Sequence, residues 1–253
     1  FLPVPWEATT SYRGGTSKGP AAILAASPQI DLFDLEVARP YEVGFHMLKE
    51  DKKIKAWNKT AKAAAQKIIQ AGGEANTPSL KKSLKIVNDL SAKVNEAVYE
   101  ASRAQIQNGK LLALVGGDHS TPFGAIQAAS EKWKNLGVLH LDAHSDTRRA
   151  YEGFLWSHAS IMFNVMEGLP VKKLVQVGIR DFCEQEVEVA LKDRVLVHTD
   201  SDLKQEAFEG KTWQQQCDNI IASLPEKICI SFDIDGMYPW YCPNTGTPVP
   251  GGF

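Results

Sequence analysis

Apolar positions recur along this chain at two different spacings. Between residues 80 and 108 they fall at helical intervals: Leu80, Leu84, Val87, Leu90, Val94, Val98 and Ile106. Residues 59–71 follow the same spacing. Each stretch predicts an amphipathic helix with one stripe packed on a core. From residue 111 the pattern changes. Continuous apolar runs at 111–115, 136–141, 173–177, 195–197 and 228–232 alternate with helical stretches at 122–133, 160–166, 184–191 and 213–224. Such runs are strands buried on both faces, so the alternation predicts an α/β fold with a parallel sheet between helices. Residues 1–6 read as the end of a strand, and residues 30–37, alternately apolar and acidic, as a half-exposed strand.

Residues 11–20 are rich in glycine. Gly14-Gly15 reads as a flexible loop, and Pro20 suits the first turn of a helix over 21–26. The segment lacks the order of a phosphate-binding loop. No internal repeat or low-complexity linker appears, which favours a single domain over 1–253.

Composition removes several classes of function. Of the 253 residues 43 % are hydrophobic, enough for a large core, and the formal net charge of -2 offers nothing to nucleic acid or an anionic membrane. No stretch reads as a membrane span or signal peptide. Cys183, Cys217, Cys229 and Cys242 form no CxxC pair, which favours free thiols in a reducing compartment. A cytoplasmic enzyme is the expectation.

The chemistry concentrates where apolar runs end. Gly117-Asp118-His119-Ser120 follows the first run, Asp142-Ala143-His144-Ser145-Asp146 the second, and Asp233-Ile234-Asp235-Gly236 the last. Open α/β sheets bind ligands beyond the carboxyl ends of their strands, so the three segments should converge. Spacing of i, i+2 and i+4 in extended backbone would turn Asp142, His144 and Asp146 to one point. Four crowded carboxylates repel unless cations neutralise them, and four negative charges balance two divalent ions. Carboxylate oxygen with some imidazole suits manganese best, though nickel, iron or zinc could substitute. His140 and His198 lie in or at the end of apolar runs and read as structural.

With these motifs in hand, the chain resembles the ureohydrolase family of arginases, agmatinases and their relatives. Gly116–Ser120, Asp142–Asp146 and Ser231–Gly236 carry the likeness, together with Gly178-Ile179-Arg180-Asp181 and the tail from Asn244 to Gly252. The resemblance implies a three-layer α/β/α arginase-like fold with a central parallel sheet. It also implies two Mn2+ per subunit, a small guanidino substrate, and a homo-oligomer, trimeric or hexameric. One metal would be held by His119, Asp142, Asp146 and Asp233, the other by Asp142, His144, Asp233 and Asp235. Asp146 and His158 are the implied catalytic residues, moving protons to the leaving amine. His158, Asp181 and Thr247 are the implied substrate contacts. Measured against the family, the chain reads as clipped in its first strand and short of the C-terminal part that normally supplies a glutamate for the guanidinium.

The substrate follows from what does not match. Arginases place Ser-Gly-Asn after the second motif to hold the α-carboxylate, and residues 147–156 contain none. They place a carboxylate where this chain has Cys183. Agmatine, cleaved to putrescine and urea, is therefore expected, with roles in polyamine synthesis. Arginine, guanidinobutyrate, guanidine and formimidoylglutamate are alternatives, and so is a non-catalytic metal-binding scaffold or regulator. Tyr238 stands where the family usually has an aspartate, which would reshape the pocket mouth.

Overall fold

A computed structural model describes residues 1–253. All paired strands run parallel. β1 (Leu2–Val4) pairs with β2 (Leu114–Gly116). β3 (Gly137–Leu141) lies between β4 (Lys173–Ile179) and β6 (Ile228–Phe232), and β5 (Val195–Thr199) flanks β4. The parallel sheet thus comes in two hydrogen-bonded parts, of two strands and four. The unpaired edges of β2 and β6 border one cleft.

Helices cover both faces, as the continuous apolar runs require. On one face α4 (Phe123–Lys132) and α5 (Ile161–Gly168) bury Phe123, Ile126, Ile161, Met162 and Val165 against Val138 and Leu174. On the other, Leu203 of α7 (Asp200–Phe208) and Ile220 of α8 (Trp213–Ala222) meet Val175 and Val177. Each fully buried aliphatic side chain contributes about 1.5–3 kcal/mol. α6 (Glu184–Ala190) links β4 to β5. The short α1 (Gly19–Ala26) precedes two long helices, α2 (Lys52–Gln70) and α3 (Pro78–Gln107). Leu2, Val4 and Trp6 pack with Ile54, Val94 and Val98 of those two. Gly124 marks the tightest approach, of α4 to α3. A Cβ there would lie 2.2 Å from the Asn95 carbonyl oxygen.

Three expectations change. Residues 30–37 form no strand: they are exposed, and the Asp34 side chain accepts from the Glu36 and Val37 N–H groups instead. The run expected at 111–115 pairs only at Leu114–Gly116, with Leu111 fully exposed. The Gly14-Gly15 loop is fastened, not free. The Glu7 carboxylate accepts from Gly15 N (2.6 Å) and Ser17 N (3.0 Å) and pairs with Lys62. No helix is long and apolar enough to cross a membrane.

Candidate metal centre

The three motifs do meet at the carboxyl ends of β2, β3 and β6. Gly117 opens the first. Its φ is +52°, and a Cβ would lie 2.2 Å from the Trp6 carbonyl oxygen, so only glycine lets the chain turn here towards His119. The second motif does not continue extended as the i, i+2, i+4 spacing suggested. The chain turns after β3, the Asp142 side chain accepts from His144 N at 2.7 Å, and Asp146 adopts φ +53°. Aspartate tolerates that left-handed conformation. The Asp146 carbonyl then accepts from Met162 N and Phe163 N at the start of α5. The third motif is capped from within: Asp233 accepts from Asp235 N at 3.1 Å.

Around His119 Nδ1 stand carboxylate oxygens of Asp142 (2.8 Å), Asp146 (3.1 Å) and Asp233 (3.3 Å). Nδ1 nonetheless lacks a well-aligned hydrogen bond, and the atom is buried. Its ring partner Nε2 lies 2.8 Å from Ser231 Oγ, which fixes the ring. A buried ring nitrogen facing three carboxylates fits a divalent cation's ligand shell, the cation taking the place of the ring proton. Beside it His144 Nδ1 lies 3.2 Å from Asp235 and 3.5 Å from Asp142. Asp142 thus belongs to two adjoining clusters, one with His119, His140 and Asp146 and one with His144 and Asp235, each able to hold a metal ion, with Asp233 beside the first. The six residues singled out from sequence come together, with Asp142 central.

The electrostatics carry the strain of that crowding. Burial works against charge on His144, but hydrogen bonds with Asp142 and Asp235 raise it to about 11. Against the same burial, Asp142 and Asp146 hold His119 well above its ordinary value. Burial, then the charges of Asp142 and Asp235, push Asp233 up to about 7. Burial and Asp142 also raise Asp146. Protons here do the neutralising that divalent cations would do.

Supporting residues were invisible in the motifs. Register aligns Ser231, His140 and Gln176 across β6, β3 and β4. Gln176 Nε2 lies 2.9 Å from His140 Nδ1 and donates to the Ser145 carbonyl at 2.7 Å. His140 Nδ1 therefore accepts, and Nε2 donates to Asp142 at 2.8 Å. His140 orients a ligand and keeps the structural role expected of it. Glu186, buried, accepts from Thr147 N, Arg148 Nε and Cys183 N and stitches the loop after Asp146 to α6. The Arg180 guanidinium donates to the carbonyls of Asp235, Gly236, Met237 and Val249, tying the last motif to the chain's tail.

A cleft of about 1720 Å³ runs along the gap between β2 and β6, and one end of it reaches this cluster. His158, Asp181 and Thr247 all line it. Asp181 is mostly exposed and 3.7 Å from His144 Nε2. Burial, then the positive charges of His144 and His119, lower His158 to about 4. Asp118 is buried too and rises to about 6 for that reason. Tyr238 stacks on Trp240 with ring centres 4.3 Å apart and receives Lys204 over its ring.

The chain is similar to known proteins along nearly its whole length. The chain is 31 % identical over 253 residues to an N(1)-aminopropylagmatine ureohydrolase of Thermus thermophilus, covering 99 % of this chain and 72 % of that protein. An agmatinase of Chromobacterium violaceum is 29 % identical, over 98 % of this chain and 66 % of its own. Among solved structures, an agmatine ureohydrolase of Thermoplasma volcanium shares the fold with a TM-score of 0.74 at 22 % identity, covering 100 % of this chain and 72 % of its own. The Arginase family model matches residues 1–253. With an α/β parallel sheet, a histidine–aspartate cluster where three strands end, and that family model matched along its whole length, this chain belongs to the arginase family of hydrolases.

Proposed function

We propose that this chain hydrolyses the guanidino group of an amine-tailed substrate, agmatine or its aminopropyl derivative, releasing urea and an amine. The observation that carries the reading is His119 Nδ1, buried among three carboxylates with no well-aligned hydrogen bond. His119, Asp142, Asp146 and Asp233 would hold one Mn2+, and Asp142, His144, Asp233 and Asp235 the second. When bound, such a pair supplies Lewis acidity and an activated water at neutral pH.

The protein's own groups do the rest. The Asp146 carboxylate, raised by burial, is placed to accept a proton from the attacking water. Asp146 then returns that proton to the leaving amine, while His158, lining the same cleft, hydrogen-bonds to the departing nitrogen. Asp181 leaves a carboxylate exposed in the cleft wall for the guanidinium or the distal ammonium.

The tail preference rests on charge. Arg148 reaches the cleft, but its guanidinium is paired with Glu186 at 3.3 Å and lies over Tyr151. It is spoken for, and no carboxylate tail needs to be invoked. Cys183 caps α6 where an amino-acid substrate would need a carboxylate. Relatives named for agmatine and aminopropylagmatine agree. Arg13, over Tyr12 at the cleft rim, favours a carboxylate-tailed substrate instead, so guanidinobutyrate belongs in the assay.

Urea release is measured from agmatine, N(1)-aminopropylagmatine, arginine and guanidinobutyrate, with and without added Mn2+. The expected order places both amine-tailed substrates at least tenfold above the others in kcat/KM. Metal-loaded protein that releases urea from none of them refutes the proposal.

A further inference from the structure

His158 is held from behind by hydroxyl groups. Two of them reach its Nδ1: Thr9 Oγ1 at 3.3 Å and Ser157 Oγ at 3.4 Å. Both residues are fully buried, so each hydroxyl hydrogen needs a partner within the protein.

Their hydrogens can be placed by elimination. Asp118 Oδ1 accepts from Ser120 N and Ser120 Oγ, while Oδ2 has Thr9 Oγ1 as its donor at 3.4 Å. Thr9 thus spends its single hydrogen on Asp118. One lone pair of the same oxygen accepts from the His158 backbone N–H at 3.2 Å. Ser157 Oγ accepts from Ala159 N at 3.2 Å, which leaves its hydrogen to place. The acceptor within its reach is His158 Nδ1. The reverse arrangement, Nδ1–H donating to Thr9, strands the Ser157 hydrogen in a dry site.

We propose that Ser157 and Thr9 are positioning residues that hold His158 in the neutral tautomer with its proton on Nε2. Nδ1 faces the two hydroxyls, so Nε2 is the nitrogen presented to the cleft. The imidazole then meets the site as a hydrogen-bond donor and not as an acceptor. Resting on the guanidino-hydrolase reading, this assigns His158 to the second half of the reaction. As the C–N bond breaks, Nε2–H donates a hydrogen bond to the lone pair of the departing amine nitrogen, and the proton that nitrogen gains is the one Asp146 took from the attacking water, so the ring stays neutral throughout. Thr9 contributes by being unable to donate; Ser157 contributes by donating.

Histidine labelled with 15N in the metal-free full chain reports the tautomer directly, with His158→Gln assigning the signals. The expected spectrum has a pyridine-type Nδ1 and a pyrrole-type Nε2 for His158. Ser157→Ala should move the population towards the other tautomer, and Ser157→Thr should keep the original one. Thr9→Val should also keep it, because Thr9 is not the donor. If Ser157→Ala fails to fold, the wild type, Ser157→Thr and Thr9→Val decide alone. A protonated Nδ1 in the wild type, an unchanged tautomer in Ser157→Ala, or a switch in Thr9→Val overturns the assignment. In turnover, Ser157→Ala should lose about tenfold or more in kcat with KM within about twofold, and Ser157→Thr should recover it. Absence of urea from every substrate would sink the hydrolase reading, while the spectrum still decides the tautomer.

Discussion

Glu7→Gln tests whether one carboxylate fastens the glycine-rich loop. Glu7 is almost fully buried. It gathers Lys62 on one oxygen and the backbone N–H groups of Gly15 and Ser17 on the other. Glutamine of the same shape keeps one acceptor oxygen and turns an amide towards the rest. It therefore loses at least one charge-assisted bond, each worth about 1.5–3 kcal/mol, and leaves a buried donor facing a donor. The partly exposed Lys62 recovers some hydration, so the net loss is about 2–3 kcal/mol. For a chain of this size that is a fall of about 4–12 °C in Tm. The pH dependence has a definite sign. Burial opposes charge on Glu7, but Lys62, Ser17 and Gly15 together depress its pKa. A depressed carboxylate contributes its full stability above the ordinary value near 4.5 and loses it as pH falls through the lower folded value. Urea unfolding at pH 7 should separate the two proteins, and the gap should close on acidification below pH 4.5. A gap under about 0.5 kcal/mol at pH 7, or one that grows in acid, would refute this account.

Gly124→Ala drives a methyl group into the Asn95 carbonyl and Tyr99 N of α3, so a loss of about 1–3 kcal/mol is expected in chemical denaturation. His140→Ala removes the group that orients Asp142, and Mn2+ affinity by titration calorimetry should fall about 10–100-fold. Unchanged affinity would show that Asp142 is held without it. Burial pushes the Cys229 thiol up to about 11, so iodoacetamide at pH 8 should label Cys229 much more slowly in folded than in urea-unfolded protein, by peptide mass spectrometry.

Strand and helix order were legible because continuous apolar runs alternate with helical stretches, although β6 leaves Ile228, Ile230 and Phe232 exposed where burial on both faces was expected. The ligand segments were legible because each sits immediately after such a run. Residues 30–37 misled because alternation states which side chains could share a face, not whether a neighbouring strand exists to pair with. α7 went unread because its first turn is polar, yet Thr199 with Asp202 three residues on is a readable capping signal: Thr199 Oγ1 accepts from Asp202 N. Glu7, Gln176 and Glu186 could not be found in the sequence. Their partners lie 8 to 55, 31 to 36, and 3 to 39 residues away, joined only by folding. The bend that brings Asp146 to His119 was likewise hidden, since a left-handed aspartate looks like any other in a string of letters.

The placement of the ligands on different strands has a consequence for stability. His119 rides on the loop after β2, in the two-stranded part, whereas Asp142, His144, Asp146, Asp233 and Asp235 ride on the four-stranded part. No ladder hydrogen bond joins the two. A cation shared by His119 and Asp142 would therefore tie the loop after β2 to the end of β3. At a hundredfold excess over its dissociation constant, such an ion adds about 2.7 kcal/mol to the folded state. Amide exchange in β1 and β2 would then report on metal binding from strands that supply none of the ligands themselves.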